Sequence, residues 1–283
     1  MPLPVDDGLP LADLKILDFS WVGVGPITVK YLADHGATVV RVESRARLDV
    51  VRLGPPWHDA RPGIERSQFY ASYNTSKLGL ALDLRRPEAR DIARRLAAWA
   101  DLVVESFTPR VMRGWGLAYE DLRTVNPRLV MLSTCLQGQT GPHAEYPGFG
   151  QLMAALSGFY EVTGWPDRDP APPYGAYSDF IVPRLAATVL LAAIDHQRRT
   201  GEGQHIDVSQ FEAALHFLAP ALLAWELDGT VAGRTGNRAD HAAPHGVYPC
   251  AGDDRWIAIS VRGDAEWRAY GEVLGRPAWH DEP

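Results

Sequence analysis

LKILDFSWVGVGPITVKYLADHGATVVRVES, residues 14–44, decides the fold. LKILDFS (14–20) is a continuous apolar run of strand length, and WVGVGP after it is a loop of small residues. In ITVKYLADHGA, Val29, Leu32 and Ala33 share one helical face ahead of a terminating Gly36, and TVVRVES (38–44) is a second strand. The unit is β-α-β, and strands apolar on both faces belong to a parallel sheet covered on both sides. The pattern repeats through LGLALDL (78–84), the amphipathic RPEARDIARRLAAWA (86–100) and DLVVESF (101–107). EDLRTVNP (120–127) and RLVMLST (128–134) form a third cycle, so the fold class is α/β with a doubly wound parallel sheet.

Further along, a helix is predicted over 147–158, followed by the Pro- and Asp-rich loop GWPDRDPAPPYG (164–175). A long helix opens at Asp179 and runs to about Gln197, GQHIDVS (203–209) is a strand, and QFEAALHFLAPALLAWEL (210–227) a helix. DGTVAGRTGNRADHAAPHG (228–246) then loses all apolar periodicity. We expect a large domain over 1–224 and a small α+β domain over 225–283, built from VYPC, RWIAISV and DAEWRAYGEVLG. The chain stops directly after that helix, and we expect a shortened chain or fragment.

The bulk properties exclude several classes. With 283 residues and 46% hydrophobic content the chain can bury a large core. A formal charge of −7 and an isoelectric point of about 5.7 leave no basic field for nucleic acid or an anionic membrane. The only cysteines, Cys135 and Cys250, are far apart and suit reduced thiols in a cytoplasmic protein. The N-terminus MPLPVDDGLP is acidic and proline-rich, unlike a secretory signal. The apolar run 180–194 is too short to span a bilayer. The histidines show no ligand spacing, so no metal is predicted. No G-x-S-x-G supports a serine hydrolase. The loop GVGP lacks the third glycine of a dinucleotide fingerprint, which leaves a nicotinamide enzyme resting on a partial match.

Two features point to chemistry. Basic residues (Arg41, Arg45, Arg47, Arg52, Lys77, Arg110, Arg113) cluster after strands, at the sheet edge where doubly wound folds bind ligands. Asp179 heads an almost wholly apolar helix. It is either an N-cap or a working carboxylate. A buried helix start makes an idle charge expensive, and the helix N-terminus favours the ionised form that a nucleophile needs. The two roles are compatible.

Five strings occur together and in order: the opening stretch, SYNTSKLGLALDL (72–84), the run 101–142, SDFIVPRLAATVLLAAIDHQRRTGEGQHIDVS (178–209) and GNRADHAAPHGVYPC (236–250). Together they resemble the class III (CaiB/BaiF) coenzyme A-transferases, the family of formyl-CoA transferase, over nearly the whole chain. The resemblance implies a Rossmann-like large domain, a small domain and an interlocked homodimer, with a C-terminal return to the large domain that is missing here. It also implies that Asp179 attacks an acyl-CoA thioester and that CoA passes through a mixed anhydride and an aspartyl-CoA thioester to a free carboxylic acid, with no metal or redox cofactor. CoA is expected along Val24, Arg45, Lys77, Phe107, Thr108, Arg113 and Cys135, with Gln139 beside the acyl group and Asn237 and His245 as further substrate contacts.

The chain departs from the family at Ser106, where an asparagine is usual, and at Gly23, where some members carry glutamine. It departs again at the flap, which reads GNRADHAAPHG. The related 2-methylacyl-CoA racemases carry an acid-base aspartate where this chain has Gly148, Phe149 and Gly150, which counts against racemisation. An inactive CoA-binding partner is the other alternative.

Overall fold

The computed structural model describes residues 8–278. In chain order its elements are β1 (Lys15–Asp18), α1 (Val24–Asp34), β2 (Thr38–Glu43), α2 (Gln68–Tyr73), β3 (Leu78–Ala81), α3 (Pro87–Trp99), β4 (Leu102–Glu105), α4 (Pro109–Trp115), α5 (Tyr119–Leu122) and β5 (Val130–Ser133). There follow α6 (Gly150–Leu156), α7 (Phe159–Val162), α8 (Tyr177–Thr200), β6 (Gln204–Asp207), α9 (Gln210–Leu215), α10 (Ala219–Asp228), β7 (His245–Pro249), β8 (Trp256–Ser260) and α11 (Asp264–Val273). Chain contacts group the described residues into two units. One holds the chain up to Ser157 together with Tyr174–Pro220, and the other holds Gly158–Pro173 and the chain from Ala221. The segment Gly158–Pro173 therefore goes with the second unit, whereas the sequence reading placed it in the first.

The first unit is built on a six-stranded sheet of order β3-β2-β1-β4-β5-β6, with every pairing parallel. The central strands β4 and β5 are buried at every residue, and β1 at all but its first. Their unbroken apolar runs are what a sheet covered on both faces requires. The edge strands β3 and β6 are more open.

Each face carries its own core. Leu14, Ile16, Val29, Leu32, Leu102 and Val130 pack with Ala186, Leu190 and Ile194 of α8. On the other side Leu17, Phe19, Val103 and Met131 meet Ala93 and Ala97 of α3, with Met112 and Leu122. The strand order reverses at the β1/β4 pair, the position where doubly wound sheets open a ligand crevice.

Helix α8 runs three residues beyond the expected end, to a left-handed Gly201 whose N–H bonds the Gln197 carbonyl at 2.8 Å. At 24 residues it is long and apolar enough to cross a membrane by length and composition. Here, however, it supplies core residues beneath the sheet. The predicted helix over 210–227 is interrupted: α9 ends at Leu215, a 3-10 turn covers His216–Leu218, and α10 follows.

The second unit contains the antiparallel β7–β8 hairpin and α11. The Gly236 N–H donates to the Gly164 carbonyl at 2.9 Å, and Arg234 pairs with Glu161 at 2.8 Å, so the segment around Gly164 is tied to the flap-like stretch.

Candidate active site

The loop after β1 is held from three sides. The Ser20 N–H and hydroxyl both donate to Asp18 Oδ1, at 2.9 and 2.5 Å. The Trp21 N–H donates to Ser106 Oγ at 2.8 Å, and the Val22 N–H to Asp49 Oδ2 at 3.2 Å. These bonds hold Val22 at φ +67°, a region that a β-branched residue avoids. They deliver Gly23, the N-cap of α1, to the β1/β4 edge. Ser106 thus takes on a structural job in fixing the loop.

A cavity of about 730 Å³ opens at this edge, lined by residues after β1, β2, β4 and β5, all within the first unit. Asp179 forms part of its wall. The carboxylate is only 8% exposed and lies between two glycines. A Cβ on Gly23 would stand 2.7 Å from Asp179 Cγ, and one on Gly150 would stand 2.5 Å from it. No other residue type leaves the carboxylate its space at either position. Gln210 Nε2 donates to Asp179 Oδ1 at 2.6 Å and to Ser178 Oγ at 2.9 Å. Ser178 in turn donates to the Gly150 carbonyl at 2.8 Å.

Asp179 is not the N-cap that one sequence reading offered. Ala176 occupies that place, and Asp179 is the third helical residue. Pro183, four residues on, has no N–H to give the Asp179 carbonyl. Burial pushes the carboxyl up to about 6, against the lowering effect of the Gln210 and Gly150 hydrogen bonds. A carboxylate of this kind is ionised at neutral pH, poorly solvated and open to a cavity, which are the attributes of an activated nucleophile.

Of the residues expected along CoA, Val24, Phe107, Thr108 and Cys135 line the cavity. Burial and the neighbouring Glu105 and Asp207 carboxylates push the Cys135 thiol up to about 12, so it is an inert wall. Arg45 and Arg113 are exposed and are not part of the lining; Arg47, Arg85 and Arg110 are. Arg47 stands 5.5 Å over the Trp21 ring.

Lys77 corrects the sequence reading outright. Its side chain is 2% exposed and paired with the fully buried Asp18 at 3.1 Å. Its remaining donors go to the Pro26 carbonyl and Asn74 Oδ1, at 2.9 and 3.1 Å. None is left for a phosphate. A basic residue after a strand looks the same in sequence whether it faces solvent or a buried partner, and Asp18 gave no signal of being that partner.

Gln139 does not line the cavity; its amide turns toward Glu105 Oε1, the Phe107 carbonyl and Cys135 Sγ at 3.3–3.5 Å. Asn237 and His245 belong to the second unit. Asn237 is exposed there, and His245 Nδ1 lies 3.1 Å from Ser260 Oγ across the hairpin. Sequence reasoning missed Gln210, Ser178 and the buried Glu105, whose carboxyl burial pushes up to about 7. It noted Gly23 and Gly150 only as departures from relatives. Among the described residues no cluster of His, Cys, Asp and Glu is set to hold a metal ion.

The profile of CoA-transferase family III matches residues 11–283. A succinyl-CoA–D-citramalate CoA-transferase of Chloroflexus aurantiacus is 32% identical over 274 residues, 97% of this chain and 67% of that protein. A succinate–glutarate CoA-transferase of Agrobacterium fabrum is 33% identical over 275 residues, covering 96% and 68%. The crystal structure of a CAIB/BAIF family protein from Brucella suis superposes with a TM-score of 0.86 at 31% identity, covering 97% of this chain and 72% of that one. This chain thus spans about two thirds of the length of the two enzymes.

Proposed function

The chain belongs to CoA-transferase family III, and we propose that it moves coenzyme A from an acyl-CoA donor to a free carboxylic acid with Asp179 as the covalent carrier. The observation that carries this reading is the placement of a buried, hydrogen-bonded carboxylate in a cavity wall between two glycines that no side chain could replace without displacing it.

An Asp179 oxygen attacks the thioester carbon, the C–S bond breaks, and CoA thiolate leaves behind a mixed anhydride. The thiolate then attacks the Asp179 Cγ and expels the donor acid as its carboxylate, which leaves an aspartyl-CoA thioester. The acceptor carboxylate attacks that thioester and releases the thiolate again. The thiolate finally attacks the acceptor's carbonyl, which frees the Asp179 carboxylate. No net proton is consumed and no prosthetic group is needed.

The thioester end of CoA lies against Val24, Phe107 and Cys135, with its phosphates toward Arg47 and Arg110. The apolar side chains exposed along α10, Leu223 and the 83% exposed Leu227 among them, support an interlocked dimer in which a second copy covers them. The unpaired thiols of Cys135 and Cys250 suit a cytoplasmic enzyme.

The test is exchange of CoA between candidate acyl-CoA donors and free acids such as the succinate, glutarate and citramalate named for the relatives. Transfer to at least one acid is expected. Exchange of the hydrogen next to the thioester without transfer would establish a racemase instead, and tight CoA binding with neither activity an inactive partner. Racemisation is disfavoured because a Cβ at Gly150 meets Asp179 and one at Gly148 comes within 2.7 Å of Leu152.

The same geometry gives a steric prediction. Gly150 opens α6 without a left-handed backbone, so Gly150→Ala is free of conformational strain and should fold. Its methyl must displace the Asp179 carboxylate, and a misplacement of this order costs about 100-fold in turnover. Steady-state kinetics on the folded variant, with circular dichroism as the control, would show it; full activity would mean that the close fit around Asp179 is not used.

A further inference from the structure

We propose that Gln210 is the residue that positions the Asp179 carboxylate, holding Oδ1 and leaving Oδ2 to attack, and that its amide then supports the charge that forms on Oδ1. Gln210 is the first residue of α9, behind the Ser209 cap, and is itself buried. Its backbone N–H is fixed to the Cys135 carbonyl at 3.1 Å. The side-chain nitrogen donates to both Ser178 Oγ and Asp179 Oδ1, so flipping the amide would set its carbonyl oxygen against a carboxylate oxygen. The orientation is therefore fixed by its partners. Oδ2 is the oxygen toward Gly23, which would stand 2.9 Å from a Cβ there, and Gly23 lines the cavity.

The consequence, which rests on Asp179 being the carrier, is a division of labour between the two oxygens. A lone pair on Oδ2 forms the C–O bond to the thioester carbon as the C–S bond breaks and the thiolate leaves. When that thiolate attacks Asp179 Cγ, the electron pair of the Cγ–Oδ1 bond moves onto Oδ1. The Gln210 N–H is then aimed at the developing oxyanion. As the Cγ–Oδ2 bond breaks, the pair on Oδ1 returns to restore the carbonyl, and the donor carboxylate departs carrying Oδ2.

The Gly150 backbone N–H also donates to the carboxylate, and the titratable groups packed around it leave the side-chain role to Gln210. Helix α6 has no titratable side chain, Glu212 of α9 is exposed, and Lys30 and Asp34 of α1 pair with each other. Tyr73 of α2 stays neutral, its phenol pushed up to about 12 by burial and the Asp179 charge.

The test compares the wild type with Gln210→Leu and Gln210→Glu, with circular dichroism and melting as controls for folding. Gln210→Leu should lower kcat about 100-fold with the KM for acyl-CoA within about threefold, the cost of one oxyanion donor. It should also raise the Asp179 pKa, read in the protein without CoA by infrared difference against Asp179→Asn. Gln210→Glu can donate only while protonated, so its activity should fall as pH rises, where the wild type's rises as Asp179 ionises. A Gln210→Leu enzyme within twofold of wild type, or an unmoved Asp179 pKa in either variant, overturns the inference. Wild type that moves no CoA would overturn the transferase reading and the catalytic role of Gln210 with it, and the infrared titration would still decide the contact itself.

Discussion

Asp179→Asn is expected to abolish CoA transfer, by about 10,000-fold or more as for other removed nucleophiles, while acyl-CoA binding stays within a few-fold of wild type. Asparagine keeps the shape, and its amide oxygen can still accept from Gln210, so the loss reports the missing nucleophile and not a collapsed site. The same variant should be more stable than wild type at neutral pH. Burial raises the Asp179 carboxyl from an ordinary 3.8 to about 6. Between those values the native protein holds a proton that the unfolded chain has released, so stability falls as pH rises through the window. The cost is complete above it, at about 1–3 kcal/mol. Denaturation at pH 8 should show Asp179→Asn ahead by that amount, and the gap should close below pH 4. A variant that keeps transferring CoA, or a stability gap independent of pH, would count against a buried charged carrier.

Lys77→Met is expected to destabilise the fold by about 3–5 kcal/mol. The substitution leaves Asp18, which has no solvent exposure, without its ion-pair partner at 3.1 Å. It also empties the bonds to the Pro26 carbonyl and Asn74. Asp18 further anchors Ser20 in the loop that carries Gly23, so the damage should extend to the site. Urea denaturation measures the loss. A stability change under about 0.5 kcal/mol combined with a large drop in CoA affinity would restore Lys77 as a phosphate ligand.

These two residues mark how far the sequence could be read. The sheet was legible because apolar runs such as ILDF and LVV alternate with amphipathic helices, and that alternation admits few topologies. Asp179 was legible because a carboxylate before an apolar helix needs a reason. What surrounds it was not. Gln210 lies 31 positions away and reaches Asp179 only because α9 packs on α8 after a parallel strand. Nor does the sequence tell Lys77, turned inward to Asp18, from Arg47, turned toward the cavity. Gly23 and Gly150 read as departures from relatives, and their purpose appears only when a Cβ is placed on each. The break between α9 and α10 was hidden because the apolar pattern runs on through Phe217 and Leu218.

The most direct measurement is covalent capture at Asp179. Protein incubated with a donor acyl-CoA and quenched with hydroxylamine is digested, and the peptide carrying residues 177–184 is examined by mass spectrometry. The account predicts a hydroxamate on Asp179 that requires acyl-CoA and that vanishes in Asp179→Asn. An enzyme that transfers CoA with Asp179 unmodified, or with the hydroxamate on another carboxylate, would contradict it.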